Sequence, residues 1–474
     1  DSRYVGKDGT DEGTAPAFSE NDTFGASVTL NYDINEVLSL KSISAVRQLD
    51  AEFARDGDHS PHRISQFSDV LDQDQFTQEL QLLGNYDKFQ WITGLYYFSE
   101  DGTNTNILDF TVSNFRSGGD FDNEAWAAFA QVTYDVSEDF RVTVGGRYTD
   151  EQKSFTPDQI IFQNYYAGIS QLVPAGNPLA ALDAPFLQAG ERILPLLEKQ
   201  VEVSEFTPAL NLSYDVSDDV MIYYNYSEGF KSGGFSQRVF PPVVAGATAP
   251  AGTADIDLIP TFDPEFVDVS EIGFKSAFYD EKVRLNGALY STKYDELQVQ
   301  VFNSVAPVTR NLGEATIQGL EIEALVSPGA GWLVESSFAY VDAKYDQIDT
   351  SITLIRESFE FERVPEFTAS LGLSKEIQMN ERGIVIVRAD WSYRKKTFND
   401  AYNTPLLVTD SVQLVDASVR WISADEDWLV TLSGRNLTDD EYLISGVYGT
   451  AFQSFEGLYD RGREWRLELR RDFN

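Results

Sequence analysis

Over residues 140 to 149, apolar and polar side chains take turns along the chain. Phe140, Val142, Val144 and Tyr148 fall on one face of an extended strand, and Arg141, Thr143, Arg147 and Thr149 on the other. The same period sets Val385, Val387, Ala389, Trp391 and Tyr393 against Arg388, Asp390, Ser392 and Arg394. It sets Trp428, Val430 and Leu432 against Thr431, Ser433 and Arg435. Near the C-terminus, Trp465, Leu467, Leu469 and Phe473 oppose Glu464, Arg466, Glu468, Arg470 and Asp472. A helix cannot present such a pattern, because side chains two apart lie on nearly opposite sides of it. One such strand fits a soluble sandwich; the way the strands are joined decides between architectures.

Turn punctuation and alternation predict about 17 strands. They lie near residues 23–33, 37–52, 75–86, 88–100, 122–135, 139–154, 203–215, 219–230, 265–279, 282–302, 309–326, 331–345, 365–377, 383–398, 411–423, 427–442 and 462–474. Short, charged links such as Asp33-Ile34-Asn35-Glu36, Ser327-Pro328-Gly329-Ala330-Gly331 and Ser423-Ala424-Asp425-Glu426-Asp427 alternate with long polar excursions, the longest at 155–202 and 231–264. Short turns on one rim and long loops on the other describe an antiparallel transmembrane β-barrel of the outer membrane. Trp91, Trp332, Trp421, Trp428, Tyr224 and Tyr226 sit near strand ends, where an interfacial aromatic girdle belongs. In this reading, residues 1–22 form a long external loop. The one helix expected lies within the 155–202 loop, roughly Pro178 to Lys199, broken by Pro185 and Pro195 and packed on neighbouring loops.

Composition removes several alternatives. The chain has no Cys, so disulfide scaffolds, thiolate metal sites and Cys nucleophiles are excluded. A formal charge of -40 repels phosphate backbones, which excludes nucleic acid as a partner. At 42% hydrophobic and 13% aromatic, the sequence carries more buriable surface than a disordered acidic chain. No apolar run reaches the roughly 18 residues of a transmembrane helix, which leaves strands as the means of crossing.

The segment Tyr224-Asn225-Tyr226-Ser227-Glu228-Gly229-Phe230-Lys231-Ser232-Gly233-Gly234-Phe235 resembles the mid-barrel signature of TonB-dependent receptors, broadly of the iron and siderophore group. Gly434-Arg435-Asn436-Leu437-Thr438-Asp439-Asp440-Glu441-Tyr442 resembles the family's penultimate-strand motif. Further matches are Gln78-Glu79-Leu80, Ala127-Ala128-Phe129-Ala130-Gln131, Gly146-Arg147-Tyr148-Thr149-Asp150-Glu151 and the stretch from Asn311 to Glu321. The resemblance implies that residues 1–474 are part of a receptor barrel of about 22 strands, without the N-terminal plug and about the first five strands. It also implies TonB-dependent import of a large scarce nutrient across the outer membrane, most often a ferric siderophore or similar chelate. The TonB-ExbB-ExbD complex would engage through the plug, and membrane lipid and lipopolysaccharide would surround the wall. Uptake of cobalamin or oligosaccharide, a passive porin and a soluble carbohydrate-binding β-protein are the competing readings. Ending on Phe473-Asn474 departs from the terminal aromatic residue usual in the family.

Candidate site residues follow. Lumen-facing Arg147, Arg394 and Arg435 could attract an anionic chelate, since a low-dielectric channel focuses their field; an interior salt-bridge network is the preferred alternative. Loop aromatics Tyr165, Tyr166 and Phe230 could stack on a ring of the substrate. The motif residues Glu228, Gly229, Phe230, Lys231, Gly233, Gly234, Arg435, Asn436 and Leu437 are carried by the resemblance alone. His59 and His62, with Asp58, form a weak metal candidate whose plainer reading is a solvated loop. The same holds for Asp120, Asp122 and Glu124, and for Asp439, Asp440 and Glu441, as calcium ligands. No cofactor is expected. No nucleophile, acid-base pair or phosphate loop is present, and no catalysis is expected.

Overall fold

A strand that meets lipid on one side and water on the other must satisfy every backbone N–H and C=O through its neighbours, because hydrocarbon offers no partners. The computed structural model, which describes residues 13–58, 61–111, 113–165, 188–239, 249–303, 306–350, 353–449 and 454–473, meets this requirement with one large antiparallel sheet. Its strands are β1 (Phe18–Asp33), β2 (Leu38–Asp56), β3 (Ser65–Tyr86), β4 (Phe89–Phe110), β5 (Ser113–Asp135) and β6 (Phe140–Pro157). They continue as β7 (Lys199–Ser217), β8 (Val220–Lys231), β9 (Glu265–Phe278), β10 (Val283–Asp295), β11 (Gly313–Gly329) and β12 (Trp332–Ile348). The last are β13 (Phe367–Gln378), β14 (Ile384–Arg394), β15 (Val412–Ile422), β16 (Trp428–Arg435) and β17 (Glu464–Arg471). Each pairs with the next in sequence, and a short extra strand, Ile160–Asn164, joins the upper part of β5. Among the described residues, no strand pairs with the outer edge of β1 or of β17.

Register turns the sequence alternation into two continuous surfaces. On one face Tyr134, Val142, Leu212, Tyr224, Ile272, Leu289, Leu320, Tyr340 and Phe367 stand side by side across β5 to β13. One residue away, on the other face, run Thr133, Thr143, Asn211, Asn225, Glu271 and Tyr290. The polar row is bonded laterally: Thr133 and Thr143 hydroxyls lie 2.9 Å apart, and Asn225 Nδ2 donates to Glu271 Oε1 at 3.4 Å. Beside it, a Cβ on Gly319 would fall 2.3 Å from Tyr290 Oη, so the ring lies flat across the glycine.

The apolar face is bare. Val144 is 54% exposed, Phe206 60% and Leu467 72%, values that a soluble fold would not leave on so many neighbouring large side chains. A compact protein of 53.1 kDa exposes roughly 18,000 Å², whereas this chain exposes 27552 Å², as expected of a single layer with two accessible faces. Along β5 the band runs from Trp126 to Tyr134, roughly 27 Å of strand, or about 20 Å of membrane thickness at a tilt of about 40°. Above it the same face becomes acidic: Asp22, Asp50, Asp72, Thr103 and Asp120 form one row, and Gln48, Asp74, Asp101 and Asp122 the next. The hydrocarbon boundary lies between these rows and the aromatic ring Tyr97, Trp126 and Tyr148.

The buried cores sit at the long-loop rim. One packs Leu108, Phe110 and Phe115 with Ile161, Ile193, Leu194 and Val239. The other gathers Leu297, Leu312, Tyr345, Ile348 and Ile355 with Ala401, and Tyr345 stacks on Phe361 at 4.2 Å. Loop packing here replaces the central core of a soluble domain.

Strand existence and order agree with the sequence reading, but β1 begins at Phe18 inside the expected 1–22 loop, β16 stops at Arg435 short of the expected 442, and four larger differences stand out. β3, β4 and β5 are 22, 22 and 23 residues long and rise far beyond the band, where the sequence predicts loops. Both faces are wetted there, so alternation vanishes although the ladder continues. β4 ends at Phe110 and β5 begins at Ser113, so a two-residue link stands where a long one is expected, which breaks the predicted alternation of short and long links. The segment 282–302 is two strands, because β10 stops at Asp295 and Gln298–Asn303 folds back on Ala306–Asn311 as a separate hairpin. The expected helix at Pro178 to Lys199 lies partly outside the described residues; positions 188–198 are turns, bends and one isolated bridge, with no helix. Pro195 denies that stretch a continuous helical hydrogen-bond ladder. Ile193 and Leu194 nonetheless pack on neighbouring loops as expected.

Candidate functional site

Above the membrane band, the lumen face of β3 to β6 is roofed by the chain leaving β8. The sequence that makes this possible is Lys231-Ser232-Gly233-Gly234-Phe235. A Cβ on Gly233 would sit 2.4 Å from the carbonyl oxygen of Phe262, too close for any side chain, so glycine lets two backbones touch. Gly234 and Phe235 then pair with Phe262 and Thr261. Ser232 Oγ donates to both carboxylate oxygens of Glu151 at 2.8 Å, and Lys153 Nζ bridges Glu151 Oε1 at 3.0 Å and the Gly233 carbonyl at 3.2 Å. Gln298 Nε2 holds the far side through the carbonyls of Ser232 and Asp263, each at 3.0 Å.

The strap continues to the tall hairpins. The Gln237 carbonyl accepts from Gly118 N, Ser117 Oγ and Gln159 Nε2 at 3.1, 2.7 and 3.0 Å. Arg238 reaches Asp69 Oδ2 at 3.0 Å and Asn106 Oδ1 through Nε at 2.9 Å. Beneath the strap lies a cavity of about 580 Å³. Its walls combine carboxamides, two lysines, Glu100 and four phenylalanine rings, with Phe155 and Phe235 5.5 Å apart. That volume and mixture suit a drug-sized polar ligand with some apolar surface.

The predicted site residues do not converge on this cavity. Arg147 faces the lumen on β6 with its guanidinium 5.2 Å from the Tyr96 ring and Nε on Thr149 Oγ1 at 3.1 Å. Arg394 lies 5.6 Å over Tyr442, and Arg435, opposite Glu464, also acts on the Tyr442 phenol. The structure therefore brings Arg394 and Arg435 together around Tyr442 and leaves Arg147 on another wall. The salt-bridge alternative is realised elsewhere in the lumen, where Arg388 is held by Asp390 and Glu335.

Tyr165 stands at the hairpin tip, its hydroxyl donating to Asp109 Oδ1 at 2.8 Å, and Arg63 closes on the same carboxylate. Burial raises the Tyr165 phenol, and its bond to Asp109 adds to the rise. Phe230 corrects its expected role: it pairs with Phe266 on the outward face, in line with Tyr226 and Glu228, because odd-numbered residues of β8 face the lumen. Among the motif residues, Gly229 and Lys231 are thus lumen-facing and Glu228 is not. Tyr166 and His59 lie outside the described residues. Asp58 is occupied as a turn acceptor, taking Ser65 N at 2.9 Å. Asp120 accepts from Thr103 Oγ1, Glu124 from Tyr97 Oη and Asp439 from Arg463. Among the described residues, no group of three such side chains could hold a metal.

Asn436 shows why its motif needs that residue. It is fully buried at φ 50°, a left-handed position Asn tolerates. Its Nδ2 donates to the Asp440 carbonyl, its Oδ1 accepts from Asp440 N and Thr438 Oγ1, and its own N–H binds Asp416 Oδ1 at 2.7 Å. Leu437 N then bonds the Val415 carbonyl, so the motif ends β16 and turns the chain into its loop. The cavity residues Lys153, Phe155, Phe262 and Gln298 escaped sequence reading. The glycine pair beside Phe235 was their single signal.

The family model described as TonB dependent receptor-like, beta-barrel matches residues 1–437. A ferric-pyoverdine 358 receptor of Pseudomonas putida is 25% identical over 292 residues, which cover 59% of this chain and 30% of that receptor. The ferric yersiniabactin uptake receptor FyuA of Yersinia pestis superposes with a TM-score of 0.75 at 18% identity, covering 97% of this chain and 62% of that one. The siderophore receptor PiuA of Acinetobacter baumannii gives 0.67 at 16%, covering 96% and 65%. The chain thus spans under two thirds of the length of each of these relatives.

Proposed function

The chain belongs to the TonB dependent receptor-like β-barrel family, and from that premise we propose that it forms the wall and outer vestibule of an energised importer of ferric siderophores. The family consists of transport receptors, and its barrels lie in the outer membrane of Gram-negative bacteria, in keeping with the bare apolar face. The observation that carries the reading is the roofed cavity of about 580 Å³ in the upper lumen, built by the Lys231 to Phe235 motif. A ligand entering from the long-loop rim meets this cavity before the membrane-spanning part of the lumen. The names of a ferric-pyoverdine receptor and a ferric yersiniabactin receptor among the relatives support iron chelates as the cargo.

Two further parts belong to the proposal. The free edges of β1 and β17 would each leave a row of unpaired backbone groups in lipid, at several kcal/mol apiece. Further strands that join them, about five by family count, remove that cost. A plug filling the polar lumen, drawn by the TonB complex, supplies the moving part. In keeping with a family of transport receptors, the proposal is transport without catalysis.

The test uses radiolabelled ferric siderophore on cells that depend on this receptor for iron. Uptake is expected to fall to background when the proton gradient is collapsed or TonB is deleted, while surface binding persists. Uptake that continues undiminished without energy would make the protein a passive channel.

A further inference from the structure

We infer that the chelate taken at this site is electrically neutral and rich in amide or hydroxamate groups, a ferric trihydroxamate in type rather than a ferric tricatecholate; this rests on the uptake reading and narrows it. Three hydroxamates, each carrying one negative charge, neutralise Fe³⁺. Three catecholates, each carrying two, leave a trianion. The cavity and its approaches can be compared with each.

Six carboxamides line the cavity: Gln73, Asn104, Asn123, Gln237, Gln298 and Gln300. Gln73, Asn104, Asn123 and Gln298 spend amide donors within the wall, and their remaining groups, with Gln300, complement amides, hydroxyls and hydroxamates, because a carboxamide donates and accepts without charge. Among the described residues no arginine lines the cavity, although the forked guanidinium is the side chain best matched to clustered anionic oxygens. Of its two lysines, Lys153 is already neutralised by Glu151. Glu100 adds a negative charge, held by the amide groups of Gln73 and Asn123. A trianion enclosed here would lose water without gaining matching cations, a cost that a neutral chelate avoids. The rings of Phe121, Phe235 and Phe262 offer apolar contact to the carbon linkers of such a ligand, with Phe155 packed behind Phe235.

The outer surface around the cavity also disfavours an anion. Rows of aspartate cover the outside of the tall hairpins, from Asp22, Asp50 and Asp72 to Asp74, Asp101 and Asp122, and the chain carries a formal charge of -40. This field slows the encounter with a trianion and leaves a neutral ligand unaffected, within a Debye length of about 8 Å in physiological salt.

Receptor extracted from the outer membrane in detergent would be titrated with one ferric trihydroxamate and one ferric tricatecholate, with cobalamin and an oligosaccharide as other classes. The trihydroxamate is expected to bind at least roughly tenfold tighter, with a gap that widens as salt is lowered. Gln300→Lys should shift the ratio of the two affinities about fivefold toward the trianion, since it places one cation in the lining. Tighter or equal binding of the tricatecholate, or an unchanged ratio in Gln300→Lys, would overturn the inference while the iron-uptake reading stands. Failure of both iron chelates, with or without binding of cobalamin or oligosaccharide, would remove both.

Discussion

Val144→Arg is expected to destabilise the barrel by about 2–4 kcal/mol and to cut the amount of folded receptor in the outer membrane. Val144 is 54% exposed and stands between Val132 and Leu210 in the middle of the apolar band, so an arginine there must draw its charge into hydrocarbon or stretch to an interface. The neighbouring Thr143→Arg is the control. Thr143 faces the polar lumen beside Thr133 and Asn211, and its substitution should cost under about 1 kcal/mol despite the identical new side chain. Heat-dependent mobility in detergent gels, with urea titration in lipid, measures both. Equal losses would mean that the two faces are not distinguished by lipid and water.

Replacing two rings of the upper cavity, Phe235→Ala with Phe262→Ala, should lower ferric-chelate affinity roughly a hundredfold. Each phenylalanine contributes about 1.5 kcal/mol if half to fully covered by ligand, and about 3 kcal/mol in total is two decades in affinity. The two residues sit on the two short strands of the strap, Phe235 opposite Thr261 and Phe262 opposite Gly234, away from the spanning strands, so heat-modifiable folding should persist. Phe155, buried behind Phe235, is left in place to preserve packing. Affinity within threefold of the parent would place the ligand elsewhere on the loops.

Periodicity made the spanning strands legible because burial there is set by a simple boundary, lipid against water, which repeats every second residue. It failed on the upper halves of β3, β4 and β5 for the same reason. Once both faces meet water, Asp69 to Gln73 or Thr103 to Ile107 carry no alternation, and hydrogen bonding between strands continues without a sequence signature. Phe230 reads in the sequence as a loop aromatic at the end of its strand, whereas the ladder continues through it to Phe266 and parity then fixes it on the outward face. The arginines were read correctly as lumenal, yet Arg147 and the Arg394 and Arg435 pair lie on strands far apart in the sheet order. The cavity was illegible because its lining comes from positions as distant as Gln73, Lys153, Phe235 and Gln298, which sequence spacing cannot relate.

The two-faced wall is tested most directly with single cysteines, since the chain has none of its own. Nitroxide labels at positions 141 to 149 of β6, in receptor reconstituted into bilayers, would be read for collision with oxygen and with a water-soluble nickel chelate. Oxygen maxima are expected at Val142, Val144 and Tyr148 and nickel maxima at Thr143, Arg147 and Thr149, with a period of two. Uniform protection from both reagents, as in a strand packed beneath a second protein layer, would contradict it.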